Sequence, residues 1–428
     1  MTQKPIKSPW LWVPSLYLTE GIPYIVITTV SVVMYTKLGV SNSDIGLYTS
    51  LLYLPWVIKP IWSPIIDLIG TKRKWFLSMQ FILALVFLGA GLTVPANNFF
   101  FMTLAFFWMG AFASATNDIS SDGMYLIALK PEQQSFFVGL RGTFYRIGMI
   151  TGNGLIVIIA GYLETTLGDN SQAWSWTMII VAGMMLILTA VNYFTTPVIE
   201  ENEDIPTEKL SKAEERANFF KVFETFFTKK NIVLSLTFVL TYRLGESQLV
   251  KMASPFLLAD KMDGGLAIST TDYGLIYGTV GVIALLLGGI MGGIAISRDG
   301  LGKWMIPMAL SLNLPNLLYI ALAYFQPEGL LFPGAVVIVE QLGYGFGFAA
   351  YMVFLIYLAE GMFKTSHYAI ATGFMAMGMM LPGMLSGYIQ EWLGYTGFFV
   401  WVGLAMIPAL AITASVKYPR NFGKKIEK

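Results

Sequence analysis

Cysteine is absent from the 428 residues, and histidine occurs once, at His367. No disulfide, thiolate nucleophile or cysteine-ligated zinc or iron–sulfur centre can therefore be built. A single histidine excludes a multi-histidine metal site and any mechanism that needs a histidine pair; its place near a helix start reads as structural. Charge is scarce too. Only 12% of residues are Asp, Glu, Lys or Arg, where a soluble domain carries roughly 25%. A soluble chain of this length could not cover its surface with so few. The 55% of hydrophobic residues and mean hydropathy of +0.64 equally exclude disorder. Net charge is +1, so no broad field attracts nucleic acid, and no cofactor is expected. The partner these numbers imply is a lipid bilayer.

A bilayer-crossing helix needs about 20 mainly apolar residues. Twelve such stretches occur, at 10–35, 45–67, 75–94, 99–126, 137–163, 174–195, 232–258, 273–297, 304–325, 331–360, 368–391 and 395–416. The runs are continuous rather than alternating, which excludes a β-barrel. The first is too long for a cleaved signal. Loop charge then sets orientation. One alternate set of loops holds nearly all the basic residues, including Lys72, Arg73, Lys74, Lys229, Lys230, Arg298, Lys303 and Arg420. The other set holds only Lys37 and Lys261, beside Asp44, Asp169, Asp260, Asp263 and Asp272. The positive-inside rule puts the first set, and both termini, in the cytoplasm. Termini on one side require an even number of spans, in agreement with twelve.

One long polar stretch, 200–230, separates residues 1–199 from 231–428, six spans on each side. An all-α membrane protein of two parallel six-helix bundles is expected, the plan of major-facilitator transporters. The loop from Ser63 to Lys74 follows the second span, and Gly293 to Gly300 follows the eighth. Both resemble the G-x-x-x-D-R-x-G-R-K loop of that superfamily. In the first, Ser63 replaces the opening Gly and Leu68 the Arg; in the second, Ser297 replaces the Asp. Asp67, Lys72, Arg73 and Arg298 are candidates for a cytoplasmic latch, in which an acid at a helix end holds basic residues in one state and frees them in another.

Polar groups inside spans are functional candidates by default. Asp118 and Asp122 in the fourth span lie four apart and share a helical face. Paired, buried carboxyls of this kind can take up and release a proton, so both are candidates for proton coupling. The fifth span offers Arg141 and Arg146. Arginine keeps its charge and needs a partner; Arg146, the deeper, is expected to meet the aspartates, while Arg141 snorkels. Lys59 and Lys251 are also read as snorkelling. Glu20 lies beside Gly21 and Pro23 in the first span, where an interrupted helix exposes backbone. Arg243 and Glu246 flank Gly245 in the seventh, its counterpart, and are spaced to pair with each other. Glu340, Gln341 and Tyr344 occupy the tenth span, the counterpart of the fourth. The glycines that follow read as membrane helix, not a nucleotide loop, and Gly288, Gly289, Gly292 and Gly293 as close packing. Asn117 and Tyr145 complete the substrate-binding candidates, and Tyr24, Tyr145 and Tyr344 are placed to stack on a sugar.

These positions resemble the AmpG-type muropeptide permeases. The likeness runs through Gly21-Ile22-Pro23, Ile45-Gly46, Trp62-Ser63-Pro64, Ser114 to Asp118 with Asp122, Tyr145 to Met149, Tyr242 to Glu246, and Glu340 to Gly347. It departs at Asn117, where the family often has Gln, and at Gly123 to Tyr125. The resemblance implies proton-driven import of anhydromuropeptides (GlcNAc-anhydroMurNAc type) across the bacterial inner membrane by alternating access, with Asp118 and Asp122 as the proton-linked pair. A monomer is expected. Import of other disaccharides or short oligosaccharides is the alternative. An acyl-CoA carrier would favour cavity arginines over acids, and a drug exporter is the remaining transport reading. An intramembrane enzyme would lack all but Asp or Ser dyads.

Overall fold

A computed structural model describes residues 8–62, 66, 70–129, 131–198, 221–361 and 364–424. Among them every regular element is helical. Twelve spans follow in order: α1 (Pro9–Lys37), α2 (42–61), α3 (Lys72–Thr93), α4 (Phe99–Ala128), α5 (131–167), α6 (Asn170–Thr195), α7 (232–258), α8 (Thr270–Asp299), α9 (Leu301–Phe325), α10 (Leu331–Ala359), α11 (364–393) and α12 (395–415). Nine uninterrupted helices among the described residues are long and apolar enough to cross a bilayer. The difference has local causes. α2 breaks after Leu51 and again at Lys59, and α7 breaks at Tyr242 and Arg243. α11 and α12 continue into each other across Gly394, whose φ of 67° turns the chain, a backbone that glycine adopts without steric cost.

The helix starts are written in short caps. Ser41 and Ser269 each accept the backbone N–H of the residue three further on, Asp44 and Asp272, and donate to the same Asp carboxylate at 2.7 and 2.6 Å. This serine N-cap opens α2 and α8, the matching spans of the two halves. The repeat Ser-x-x-Asp-x-Gly-Leu at 41–47 and 269–275 escaped the sequence reading because it lies in a short loop between apolar runs. Thr71 caps α3 by accepting the Lys74 N–H, and Asp169 caps α6 by accepting those of Ser171 and Gln172.

The helices form two compact units. The first holds the described residues up to 198 together with Ile268–Thr279; the second holds those of 221–267 and 280–424. In the first, the hydroxyl of Thr270 donates to Glu164, which also accepts from Trp174 Nε1 at 2.8 Å. In the second, the break in α7 is repaired across helices. Tyr242 and Tyr351 stack with centroids 5.1 Å apart. Tyr242 on α7 donates to the carbonyl of Gly347 on α10 at 2.9 Å, and Tyr351 on α10 donates to that of Val239 on α7 at 2.6 Å. Val239 is one of the last carbonyls before the break and has lost its intrahelical donor. Outward faces are apolar: Ile187, Val233 and Leu331 are two-thirds or more exposed, as lipid contact requires and water would not tolerate over so many residues.

Candidate functional site

The first unit gathers its intramembrane charge at one place. Asp118 and Asp122 present their carboxylates where α4 meets α1, α2 and α5. Lys59 Nζ forms an ion pair with Asp118 Oδ2. Arg141 Nη1 meets Asp122 Oδ1 at 3.0 Å, and the Tyr17 hydroxyl donates to the same oxygen at 2.8 Å. The guanidinium also lies 5.3 Å from the ring centres of Tyr17 and Tyr125, so cation–π contact adds to its hold. Side-chain exposure is 18% at Asp118 and 41% at Asp122, which leaves the first pair the better shielded. Glu20 of α1 lies against Asp118. It is buried, its Oε2 has no hydrogen-bond partner, and among the described residues no cation closes an ion pair with it. Three carboxyl groups thus face two fixed cations.

Two expectations are corrected here. Arg141, not Arg146, meets the aspartates, while Arg146 is exposed on α5. The step of five positions from one to the other turns the helix by roughly 140° away from a shared face, and it is Tyr145 that shares the face of Arg141. Lys59 does not snorkel. The breaks in α2, with Pro55 and Pro60, carry its ammonium to Asp118.

Behind the carboxylates lies a polar knot. Gln80 of α3 donates from Nε2 to Thr19 Oγ1 at 3.0 Å and to Asn117 Oδ1 at 3.2 Å. Asn192 of α6 donates from Nδ2 to Gln80 Oε1 at 3.0 Å and to Thr19 Oγ1 at 3.1 Å, and accepts from Ser15 at 2.6 Å. Thr19, Gln80, Asn117 and Asn192 are fully buried. Asn117 therefore faces the helix core in this structure, one residue from Asp118 and turned away from it. Gln80 and Asn192 were missed in the sequence. Each is an uncharged amide inside an apolar run, and that was the available signal.

An aromatic wall adjoins the acids. Tyr24 has Trp56, Tyr145 and Tyr53 around it, with ring centres at 5.2, 6.2 and 6.4 Å. Tyr24, Trp56 and Tyr145 remain partly exposed. Gly21 serves a helix crossing. A Cβ on Gly21 would stand 2.3 Å from the carbonyl oxygen of Tyr145, and one on Gly148 would stand 3.1 Å from Gly21 Cα.

The second unit has its own buried polar group. Arg243 donates to the Tyr344 hydroxyl and lies over the rings of Tyr344 and Phe348 at 4.8 and 5.1 Å. Arg243 stands at the start of the helix Leu244–Leu258 that carries Glu246, and its guanidinium is turned to the α10 rings. Gln341 Nε2 donates to both Glu340 oxygens, at 3.1 and 3.3 Å. Lys251 is buried rather than snorkelling. Gly288 and Gly292 of α8 do bring helices close: an added Cβ would meet the carbonyl oxygens of Leu342 and Phe346 at 2.1 and 2.8 Å. Gly293 has open space beside it and Gly289 almost as much.

Of the latch candidates, Asp67 lies outside the described residues. Lys72 donates to the Ile66 carbonyl at 3.1 Å. Arg73 holds Thr196 and the Tyr193 carbonyl at the end of α6. Arg298 pairs with its neighbour Asp299 at 3.1 Å. Asp299 also binds Lys303 at 3.2 Å and Trp304 Nε1 at 3.0 Å, and so supplies the acid that Ser297 does not. His367 has the structural part expected, with Nε2 3.2 Å from both Thr225 Oγ1 and the Val222 carbonyl.

Known proteins resemble this chain along most of its length. The sequence profile of the Major Facilitator Superfamily matches residues 16–387. The anhydromuropeptide permease of Escherichia coli (strain K12) is 24% identical over 398 residues, covering 92% of this chain and 76% of that protein. A Rickettsia conorii protein named as a transporter, AmpG 4, is 26% identical over 418 residues, with 93% and 94% covered. A solved D-xylose-proton symporter superposes with a TM-score of 0.72 at 14% identity, over 97% of this chain and 98% of that one. The nucleoside transporter NupG, in a variant form, gives 0.70 at 16% identity over 95% and 99%. At such identities the structures speak for the fold. Twelve helices, the repeated halves and the profile match agree: the chain belongs to the Major Facilitator Superfamily, a family of membrane transporters and not of enzymes.

Proposed function

We propose that the protein imports a cell-wall-derived sugar or muropeptide of the GlcNAc-anhydroMurNAc type, coupled to protons, across the bacterial inner membrane with both termini in the cytoplasm. The observation that carries this reading is the imbalance of three carboxyls, Glu20, Asp118 and Asp122, against Lys59 and Arg141. An unpaired intramembrane carboxylate is costly. A proton on one of the three removes the excess charge, and release of that proton restores it. Binding and release from opposite sides of the membrane are what a symporter needs. The partly exposed rings of Tyr24, Trp56 and Tyr145 supply flat apolar faces for the C–H side of a pyranose, and exposed Arg146 a cation for a carboxylate of a lactyl or peptide group. Similarity to the anhydromuropeptide permease supports the substrate class.

The test is uptake of labelled GlcNAc-anhydroMurNAc into proteoliposomes, with unlabelled disaccharides and short oligosaccharides as competitors. Saturable uptake that only muropeptides block is expected. Uptake blocked equally by plain disaccharides moves the assignment to a general oligosaccharide carrier. No saturable uptake of any of these sugars overturns it.

A further inference from the structure

Glu20 and Asp118 each have a chain neighbour tied to the same side chain. Thr19 precedes Glu20 on α1, and Asn117 precedes Asp118 on α4. Gln80 of α3 reaches both, donating from Nε2 to Thr19 Oγ1 at 3.0 Å and to Asn117 Oδ1 at 3.2 Å. Its Oε1 accepts from Asn192 Nδ2 of α6 at 3.0 Å, and the same Nδ2 donates to Thr19 Oγ1 at 3.1 Å. Both N–H groups and the carbonyl oxygen of the Gln80 amide are thus engaged. The Thr19 hydroxyl donates into its own helix, with the Leu16 and Ser15 carbonyls at 2.7 and 3.0 Å, so it meets the two amides as an acceptor. The Asn117 side chain has no other hydrogen bond among the described residues, its Nδ2 being buried without a partner. Thr19, Gln80, Asn117 and Asn192 are all fully buried.

Neighbouring side chains on an α-helix point about 100° apart. Holding Thr19 in one direction therefore sets the direction of Glu20, and holding Asn117 sets that of Asp118. The cations and carboxyls of the cluster stand on α1, α2, α4 and α5. α3 and α6 reach it through these amides, by way of the residues next to the acids. A buried network of matched donors and acceptors holds one geometry, because a rotation of either helix would orphan a polar group. We propose that Gln80 is a positioning residue for proton coupling, fixing the rotation of α1 and α4 and so the place of Glu20 and of Asp118 against Lys59. The proposal rests on the proton-coupled reading above and deepens it. Once the amide is gone, α4 is free to turn and Asp118 loses part of the opposing charge of the Lys59 ammonium.

Uptake of labelled GlcNAc-anhydroMurNAc into proteoliposomes of the full chain, followed over a range of external pH, tests this. Gln80→Leu keeps the bulk of the side chain and removes the amide. Its uptake profile should move towards higher pH by about one unit, the size of change that a charge gained or lost beside a carboxyl produces. Its melting temperature should fall too, because Asn117 Oδ1 is left without a donor. In Gln80→Leu/Asn117→Leu both partners are apolar, so most of the lost stability should return, while the profile stays shifted. A profile in Gln80→Leu that is unchanged, or moved to lower pH, overturns the proposal. So does a shift that disappears in the double variant together with the recovered melting temperature, since Gln80 would then serve stability alone. If Gln80→Leu does not fold, the profile of the double variant decides. Wild-type uptake that does not respond to pH would overturn the proton-coupled reading and this proposal with it. Wild-type uptake that responds to pH, with the same profile in the variants, overturns this proposal alone.

Discussion

Arg141 and Arg146 lie five residues apart on one helix and do different work. Arg141 closes the Asp122 pair at 3.0 Å and reaches the Tyr17 hydroxyl at 3.3 Å. Removing it leaves a half-buried carboxylate without its cation. Pairs of this kind are worth about 3–5 kcal/mol when fully buried, and the one-third exposure of Arg141 lowers that to about 1–2 kcal/mol. Arg141→Ala should therefore lower the melting temperature by a few degrees as well as reduce uptake. Arg146 is exposed, so Arg146→Ala should raise KM for substrate with the melting temperature unchanged. Melting curves and uptake kinetics on both variants check this, and a reversed pattern would return Arg146 to the acid cluster. The sequence made Asp118 and Asp122 legible, because a spacing of four is sufficient to put two residues on one helical face. It did not reveal their partners. Five-residue spacing hides which arginine turns inward, and the position of Lys59 depends on breaks in α2 that apolar composition does not record.

Among the elements, α1 and α5 cross closely. Gly21 on one and Gly148 on the other leave no room for a side chain against the opposing backbone, and small residues are what let membrane helices approach this far. The same crossing brings Tyr17 and Glu20 of α1 up to the carboxylates of α4. Gly21→Val must push the Tyr145 carbonyl away. A destabilisation at or above the ~1–3 kcal/mol of ordinary overpacking is expected, read as a lower melting temperature in detergent together with lost uptake. Gly293→Ala, on a helix face with open space, is the control and should leave both unchanged. In the sequence, Gly21 and Pro23 read as an opening for substrate. In the structure the glycine is a contact surface, and the difference could not be seen without knowing which helix lies opposite. The tenth-span glycines were read correctly as helix. Their division of labour was not visible: Gly345 packs on α8, while Gly343 and Gly347 pack on α9.

At the scale of the whole molecule, hydropathy was enough for the fold. Twelve apolar runs correspond to a Major Facilitator chain because lipid forces each run into a helix. The active chemistry needed more, since function depends on which buried charges meet. The central claim is that substrate entry and proton entry are one event, and it is tested most directly by measuring both at once. Proteoliposomes carrying a pH-sensitive dye in their lumen would be given muropeptide from outside with no imposed gradient. The account predicts lumen acidification in step with substrate uptake, and loss of the acidification in Asp122→Asn and in Glu20→Gln. Substrate accumulation with no change in lumen pH, continuing unaltered in Asp122→Asn, would contradict it.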